Sequence, residues 1–269
     1  MLEVLGFEFF RNALAAGVLA SVACGIIGTY VVVRRMVSVS GGISHAAFGG
    51  IGLGYFLHID PLIGAAGFTV ATALGMGALE IRARQQMDTL IGAVWAAGMA
   101  IGILFVYLTP GFAPDLFSYL FGNILLVPWE DILLMATLVA IIVAVVAFLY
   151  RELQAVTFDP DYATVMNLPV ERLSLLLLVL IALTVVMLIR VVGIILVIAL
   201  LTLPAAISRL YTTRIWSMML LAVVLGIVFT LTGIWLSYLL NVPSGATIIL
   251  VSTLAYAGSL GIERLRQGD

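Results

Sequence analysis

Apolar residues run along the chain in long blocks separated by short polar or proline-bearing joints. The blocks fall at about 12–33, 42–58, 61–80, 90–109, 130–149, 173–189, 192–208, 215–239 and 245–262. Each is close to the roughly 20 residues that an α-helix needs to cross a hydrocarbon core of about 30 Å. A barrel strand would instead alternate apolar and polar positions over roughly ten residues, and the blocks show no such alternation. The pattern predicts an all-α polytopic membrane protein of about nine transmembrane helices, forming a single membrane domain over residues 1–269.

Two connections are long enough to hold structure of their own. In 109–131, TPGFAPDLFSYLFGNILLVPWED, the centre Leu116–Val127 is apolar but too short to span. It predicts a short helix lying at, or dipping into, one face of the membrane. In 151–173, RELQAVTFDPDYATVMNLPVERL, Asp159 precedes Pro160. A side-chain cap followed by a residue of pre-set φ starts a helix. Asp161 adds the negative charge that a first turn favours, and Pro169 closes the segment. A helix over about 160–168 is expected. It lacks the basic face that would hold it on anionic headgroups, so a protein is its better partner.

Charge orients the blocks. With the N-terminus outside, Arg34, Arg35, Arg82, Arg84, Arg151, Arg172, Arg209, Arg214, Arg264 and Arg266 all fall on the cytoplasmic side, against Arg11 and Arg190 outside. That asymmetry follows the positive-inside rule and predicts an N-out, C-in topology. Only 10% of residues are charged and 64% are hydrophobic, far from the roughly 25% charged residues of soluble domains. No basic tract suggests nucleic acid. The chain has no lysine, which rules out a phosphate-binding loop of the G-x-x-x-x-G-K-[ST] kind, so it is not expected to hydrolyse ATP by that route. Neither H-E-x-x-H nor G-x-S-x-G occurs. The one cysteine, Cys24, lies in an apolar run and cannot form an intrachain disulfide. The scarcity of acids within the blocks argues against a proton-relay pump.

The most unusual stretch is SGGISHAAFGG at 40–50, where a histidine sits among glycines. On a helix, Ser38, Gly42, Ala46, Gly50 and Gly54 fall on one ridge of small residues, the pattern that lets helix backbones approach in lipid. Gly41, His45, Gly49 and Gly52 form a neighbouring strip. His45 either hydrogen-bonds a neighbouring helix or serves as a lone metal ligand, a weak signal because a transition metal usually takes several ligands. Ser44 packs or bonds back to the preceding turn more readily than it acts as a ligand. His58, at a turn, is expected to be solvated. Pro204 lies inside the seventh block, where it frees a carbonyl four residues back. Thr202 and Ser208 are placed to re-satisfy it, and the bend is either static or part of gating. Arg190, in a very short joint, either snorkels to the interface or lines a vestibule.

Several segments together carry a resemblance. VVVRRMVSVSGGISHAAFGGIGLGY (31–55), MDTLIGAVWAAGMAIGI (87–103), LFSYLFGNIL (116–125), FDPDYATVMNLP (158–169), VVGIILVIALLTLPAAISRL (191–210) and VPSGATIIL (242–250) occur in order along the chain. The chain resembles the permease subunit of metal-ion ABC importers, the zinc, manganese and iron type of the ABC-3 family. The resemblance implies a multi-pass protein of the prokaryotic plasma membrane, paired as a homodimer or pseudo-dimer. It implies cytosolic ABC ATPase subunits that bind ATP, an extracytoplasmic metal-binding protein, and a divalent metal ion as cargo, with no prosthetic group. The Asp159–Leu168 helix matches the coupling helix of the family, so Asp159, Pro160, Asp161 and Tyr162 are expected at the ATPase. One departure stands out. Family members commonly carry an aspartate four residues before the histidine, and Gly41 occupies that position here. Two other readings remain open: an ABC permease for metal chelates of siderophore or cobalamin type, and a stand-alone secondary transporter or channel.

Overall fold

The computed structural model describes residues 7–83, 87–110, 119–120, 122 and 124–267. Its secondary structure is helical. In chain order the helices are α1 (Glu8–Val33), α2 (Val37–Phe56), α3 (Pro61–Ala83), α4 (Met87–Leu108), α5 (Trp129–Phe148), α6 (Tyr150–Phe158), α7 (Pro160–Val165), α8 (Val170–Tyr211), α9 (Ile215–Leu240) and α10 (Ser244–Gln267). A single 3-10 turn at Ile124–Leu126 precedes α5.

Among the described residues, eight segments are long and apolar enough to cross a membrane: α1, α3, α4, α5, the two parts of α8 at 170–189 and 191–211, α9 and α10. The apolar blocks therefore become helices of spanning length. α2 is twenty residues long but diluted by glycine, serine and histidine. It begins at Val37, five residues before the apolar block suggested. There the Ser40 amide donates to the Met36 carbonyl at 3.0 Å and the Ser40 hydroxyl to Val37 at 2.8 Å. Polar side chains that bond to their own backbone hide a helix start from hydropathy.

The helices fall into two compact units. One contains residues 1–33, 117–145 and 187–269; the other contains 34–116 and 146–186. In the first unit α1 packs on α9. The Ser21 hydroxyl donates to the Gly17 carbonyl at 2.7 Å and lies 3.3 Å from the Thr230 hydroxyl. Asn12 donates from its amide to the Val127 carbonyl at 3.2 Å, tying the chain before α5 to α1. A tight turn joins α9 to α10. Asn241 adopts a left-handed conformation (φ 54°) and the Ser237 hydroxyl donates to the Val242 carbonyl at 2.6 Å.

α8 differs from expectation. The sixth and seventh blocks are two helices, as expected, but their joint is not at Arg190: helical backbone continues past Arg190, and the break between them falls at Gly193 (φ 77°, ψ 159°). That region of backbone space is essentially closed to residues with a Cβ, so the glycine and not the charged residue sets the break. Gly122 (φ 63°), in the same unit, lies against the Val192–Gly193 backbone. Pro204 sits in helical backbone, with no departure in dihedral angles other than that at Gly193. Thr202 and Ser208 donate to the carbonyls of Ile198 and Pro204, at 2.8 and 2.7 Å, and not to the carbonyl freed by the proline ring. Each hydroxyl follows its own i−4 geometry, which points it one turn back along the helix. The short helix expected within 116–127 lies largely outside the described residues. Its described part shows a helical pair at 119–120 and the 3-10 turn.

Candidate functional site

In the second unit α2 packs against α3 and α4, and its glycines decide how closely. Gly50 faces the backbone of Gly64 and Ala65 on α3, and Gly54 faces Pro61. Gly49 faces Gly98 on α4, Gly52 faces Gly102, and Gly42 faces Ile91. Ala46 lies against Gly98. The ridge of Gly42, Ala46, Gly50 and Gly54 is therefore shared: its first half faces α4 and its second half α3. A four-residue step overshoots the 3.6-residue turn by about 40°, so a ridge read as one line drifts from one neighbour to the next.

His45 lies on the α4 side. Its imidazole stacks on the indole of Trp95, with ring centroids 4.0 Å apart and planes 12° from parallel. The ring of Trp95 also approaches Gly41, where a Cβ would sit 3.8 Å from it. The Nδ1 atom of His45 is buried and has no hydrogen-bond partner. The Ser44 side chain is buried, and its hydroxyl donates to the Ser40 carbonyl at 2.8 Å. Ser44 is thereby held along its own helix. Among the described residues no group of three or more His, Cys, Asp or Glu side chains is gathered to hold a metal ion. The site is a single imidazole on a close-packed helix, backed by an aromatic plate.

At the α2–α3 joint the turn forms as its sequence suggests. The helix α2 ends with exposed His58 in the left-handed conformation (φ 56°), and the Ile59 amide bonds the Gly54 carbonyl at 3.0 Å. These are the bonds of a Schellman stop. The Asp60 carboxylate accepts from the Leu62 amide at 2.7 Å and caps α3.

The connection 151–173 contains two helices rather than one. α6 was not foreseen. α7 is shorter than the expected 160–168 and starts where the sequence places it. The Asp159 carboxylate accepts from the Tyr162 amide at 2.9 Å, and Pro160 takes the first helical position. Asp161 lies in the first turn. Asn167 (φ 58°) ends the helix, with the Leu168 amide bonding the Ala163 carbonyl at 3.0 Å. Phe158, Tyr162, Val165 and Met166 are exposed large apolar residues around α7, Val165 at 78% exposure.

α7 leads directly into the base of α8, where Arg34 of the α1–α2 turn is engaged. Both terminal nitrogens of its guanidinium donate to the Ser174 hydroxyl at 3.3 Å. A cavity of about 230 Å³ beside it is lined by Arg34, Gly77, Glu80, Glu171, Ser174 and Leu178, among others. Burial lowers the Arg34 pKa from its ordinary value, and the nearby Glu80 carboxylate acts against that shift. Neither Trp95 nor Ser174 was singled out by sequence. Both are ordinary residues of apolar blocks until the pairing of helices is known.

Comparison with known proteins agrees with this architecture. Residues 6–262 match the model of the ABC 3 transport family. The chain is 51% identical over 264 residues to the uncharacterized membrane protein slr2045 of Synechocystis, covering 98% of this chain and 94% of that one. It is 35% identical to the manganese transport system membrane protein MntC of Listeria monocytogenes, covering 94% and 90%. Among solved structures, PsaBC from Streptococcus pneumoniae in complex with Fab superposes with a TM-score of 0.86 at 30% identity, covering 95% of this chain and 92% of that one.

Proposed function

The chain belongs to the ABC 3 transport family as a membrane permease subunit of a metal transporter, and from that premise we propose that it imports a divalent first-row metal ion. Manganese is the first candidate, since relatives such as the Listeria protein carry that metal in their names. Zinc and iron(II) are chemically close enough to compete at an imidazole. Two copies of the chain form the pathway, an extracytoplasmic binding protein delivers the ion, and ATP is hydrolysed on cytosolic partner subunits. The N-terminus faces outward and the C-terminus the cytosol.

The observation that carries this reading is α7. A six-residue helix, capped by Asp159 and fixed at both ends, presents Tyr162 and Val165 outward, flanked by exposed Phe158 at the end of α6 and Met166 just past its own end. Exposed apolar side chains on a short, rigid element suit insertion into a groove of a partner protein. Docked there, α7 passes a movement of the ATPase to the base of α8 through the turn at Leu168 and Pro169. His45, on the close-packed helix α2, contacts the ion in transit.

The test is reconstitution of the permease with its ATPase in vesicles. Asp159→Arg together with Asp161→Arg is expected to reduce co-purification of the ATPase and to abolish metal-dependent stimulation of ATP hydrolysis. Wild-type co-purification and hydrolysis would remove α7 from the mechanism. Uptake of free manganese by the wild-type complex, with no uptake of a manganese chelate, is the result expected for the substrate.

A further inference from the structure

We propose that Trp95 is a positioning residue for His45: its indole plate fixes the plane of the imidazole and stabilises the positive charge the ring gains on holding a metal cation. This inference rests on the reading of His45 as a contact for the transported ion and adds a residue to that contact.

Three observations support it. The first is the stack itself, with centroids 4.0 Å apart and planes nearly parallel at 12°. The second is the buried, unpartnered Nδ1 of His45. A metal-bound histidine ordinarily has its second nitrogen held by a hydrogen bond, which orients the ring. His45 has no such bond at Nδ1, so flat packing on Trp95 takes over the orienting task. The third is the way α2 and α4 meet. Their approach is set by Gly49 against Gly98 and by Gly52 against Gly102. Trp95 itself is 40% exposed. A half-exposed tryptophan laid flat on an imidazole points to a role in the chemistry of that ring. The electron-rich indole face favours a cationic neighbour.

Two experiments test the assignment. In cells lacking the native chain and complemented with variants, uptake of radiolabelled manganese is measured against concentration. Trp95→Ala is expected to raise the half-saturating concentration roughly threefold to tenfold, the range set by one aromatic stack, with the maximal rate within about twofold of wild type. Trp95→Phe is expected to restore the wild-type value. An unchanged half-saturation in Trp95→Ala, or a loss of maximal rate that parallels protein level in both variants, would overturn the proposal. The second experiment does not depend on Trp95→Ala folding. Titration of the purified wild-type chain with manganese chloride, a paramagnetic quencher, is expected to quench a component of tryptophan fluorescence that is missing in both Trp95→Phe and His45→Ala. A wild-type signal that manganese leaves unchanged overturns it. The two readings fail separately. Normal uptake in His45→Ala would remove the ion contact itself, whereas defective His45→Ala with normal Trp95→Ala would remove only the plate.

Discussion

At the scale of single residues, the glycines of α2 make the sharpest demands. The backbone of Gly50 meets that of Gly64, leaving no space for a side chain on either. Gly50→Leu would force α2 and α3 apart along their whole contact. Overpacking of a tight interface costs about 1–3 kcal/mol or more, so the thermal midpoint of the purified chain is expected to fall by several degrees and transport with it. An unchanged midpoint would show that the helices separate freely. Gly67, one turn further along α3, faces open space, and Gly67→Ala serves as the matched control with no expected loss. His45 behaves differently, since its ring lies on the surface of this packing. His45→Ala is expected to reduce uptake while leaving the thermal midpoint within a few degrees, because a stack of this kind contributes only about 0.5–1.5 kcal/mol. His45 stood out in the sequence as a titratable group in a glycine-rich run. Its partner was not visible. Trp95 stands fifty residues away, and only the backbone approach of α2 and α4 at paired glycines makes the two rings neighbours.

At the scale of elements, hydropathy located the helices well and their ends poorly. Long apolar runs have one solution in lipid, since every backbone polar group must be satisfied internally. The ends depend on particular hydrogen bonds. The start of α7 was legible because Asp159 and Pro160 are a local signal for a helix start. The extent of α2 was not, because its first turn is Val-Ser-Val-Ser, which reads as a loop by hydropathy. The joint within α8 was misplaced for a related reason. A charge draws attention, yet helical backbone runs through Arg190, while Gly193 takes a backbone conformation that a Cβ forbids. Gly193→Ala is therefore expected to destabilise the chain by about 1–3 kcal/mol, measured as a lowered thermal midpoint. Pro204→Ala is expected to have the smaller effect, because its neighbourhood is already helical and Ser208 and Thr202 bond elsewhere. If Pro204→Ala proves the more damaging of the two, the working bend of α8 lies at the proline.

At the scale of the whole molecule, α2 determines how many times the chain crosses the membrane. Among the described residues, eight segments qualify by length and apolarity, and α2 is a ninth helix of spanning length. The dilution of α2 with small and polar residues fits a helix sheltered by α3 and α4 rather than bathed in lipid, because its glycines meet protein backbone on two sides. An odd number of crossings places the two ends of the chain on opposite faces; an even number places them on the same face. Cysteine labelling decides between them, and the chain suits it. Its native thiol, Cys24, is buried and gives little background with an impermeant maleimide. Phe7, Ile59 and Arg264 are exposed positions before α1, after α2 and near the end of α10. If α2 crosses, Phe7→Cys and Ile59→Cys label in intact cells and Arg264→Cys labels only after permeabilisation. If α2 does not cross, Ile59→Cys becomes inaccessible from outside while Phe7→Cys stays labelled. Arg264→Cys then joins Phe7→Cys on the outer face. With the N-terminus outside, the first outcome is expected, because of the two it is the one that leaves Arg209, Arg214, Arg264 and Arg266 on the cytoplasmic side, as the positive-inside rule requires. It also places α7 where a cytosolic ATPase can reach it.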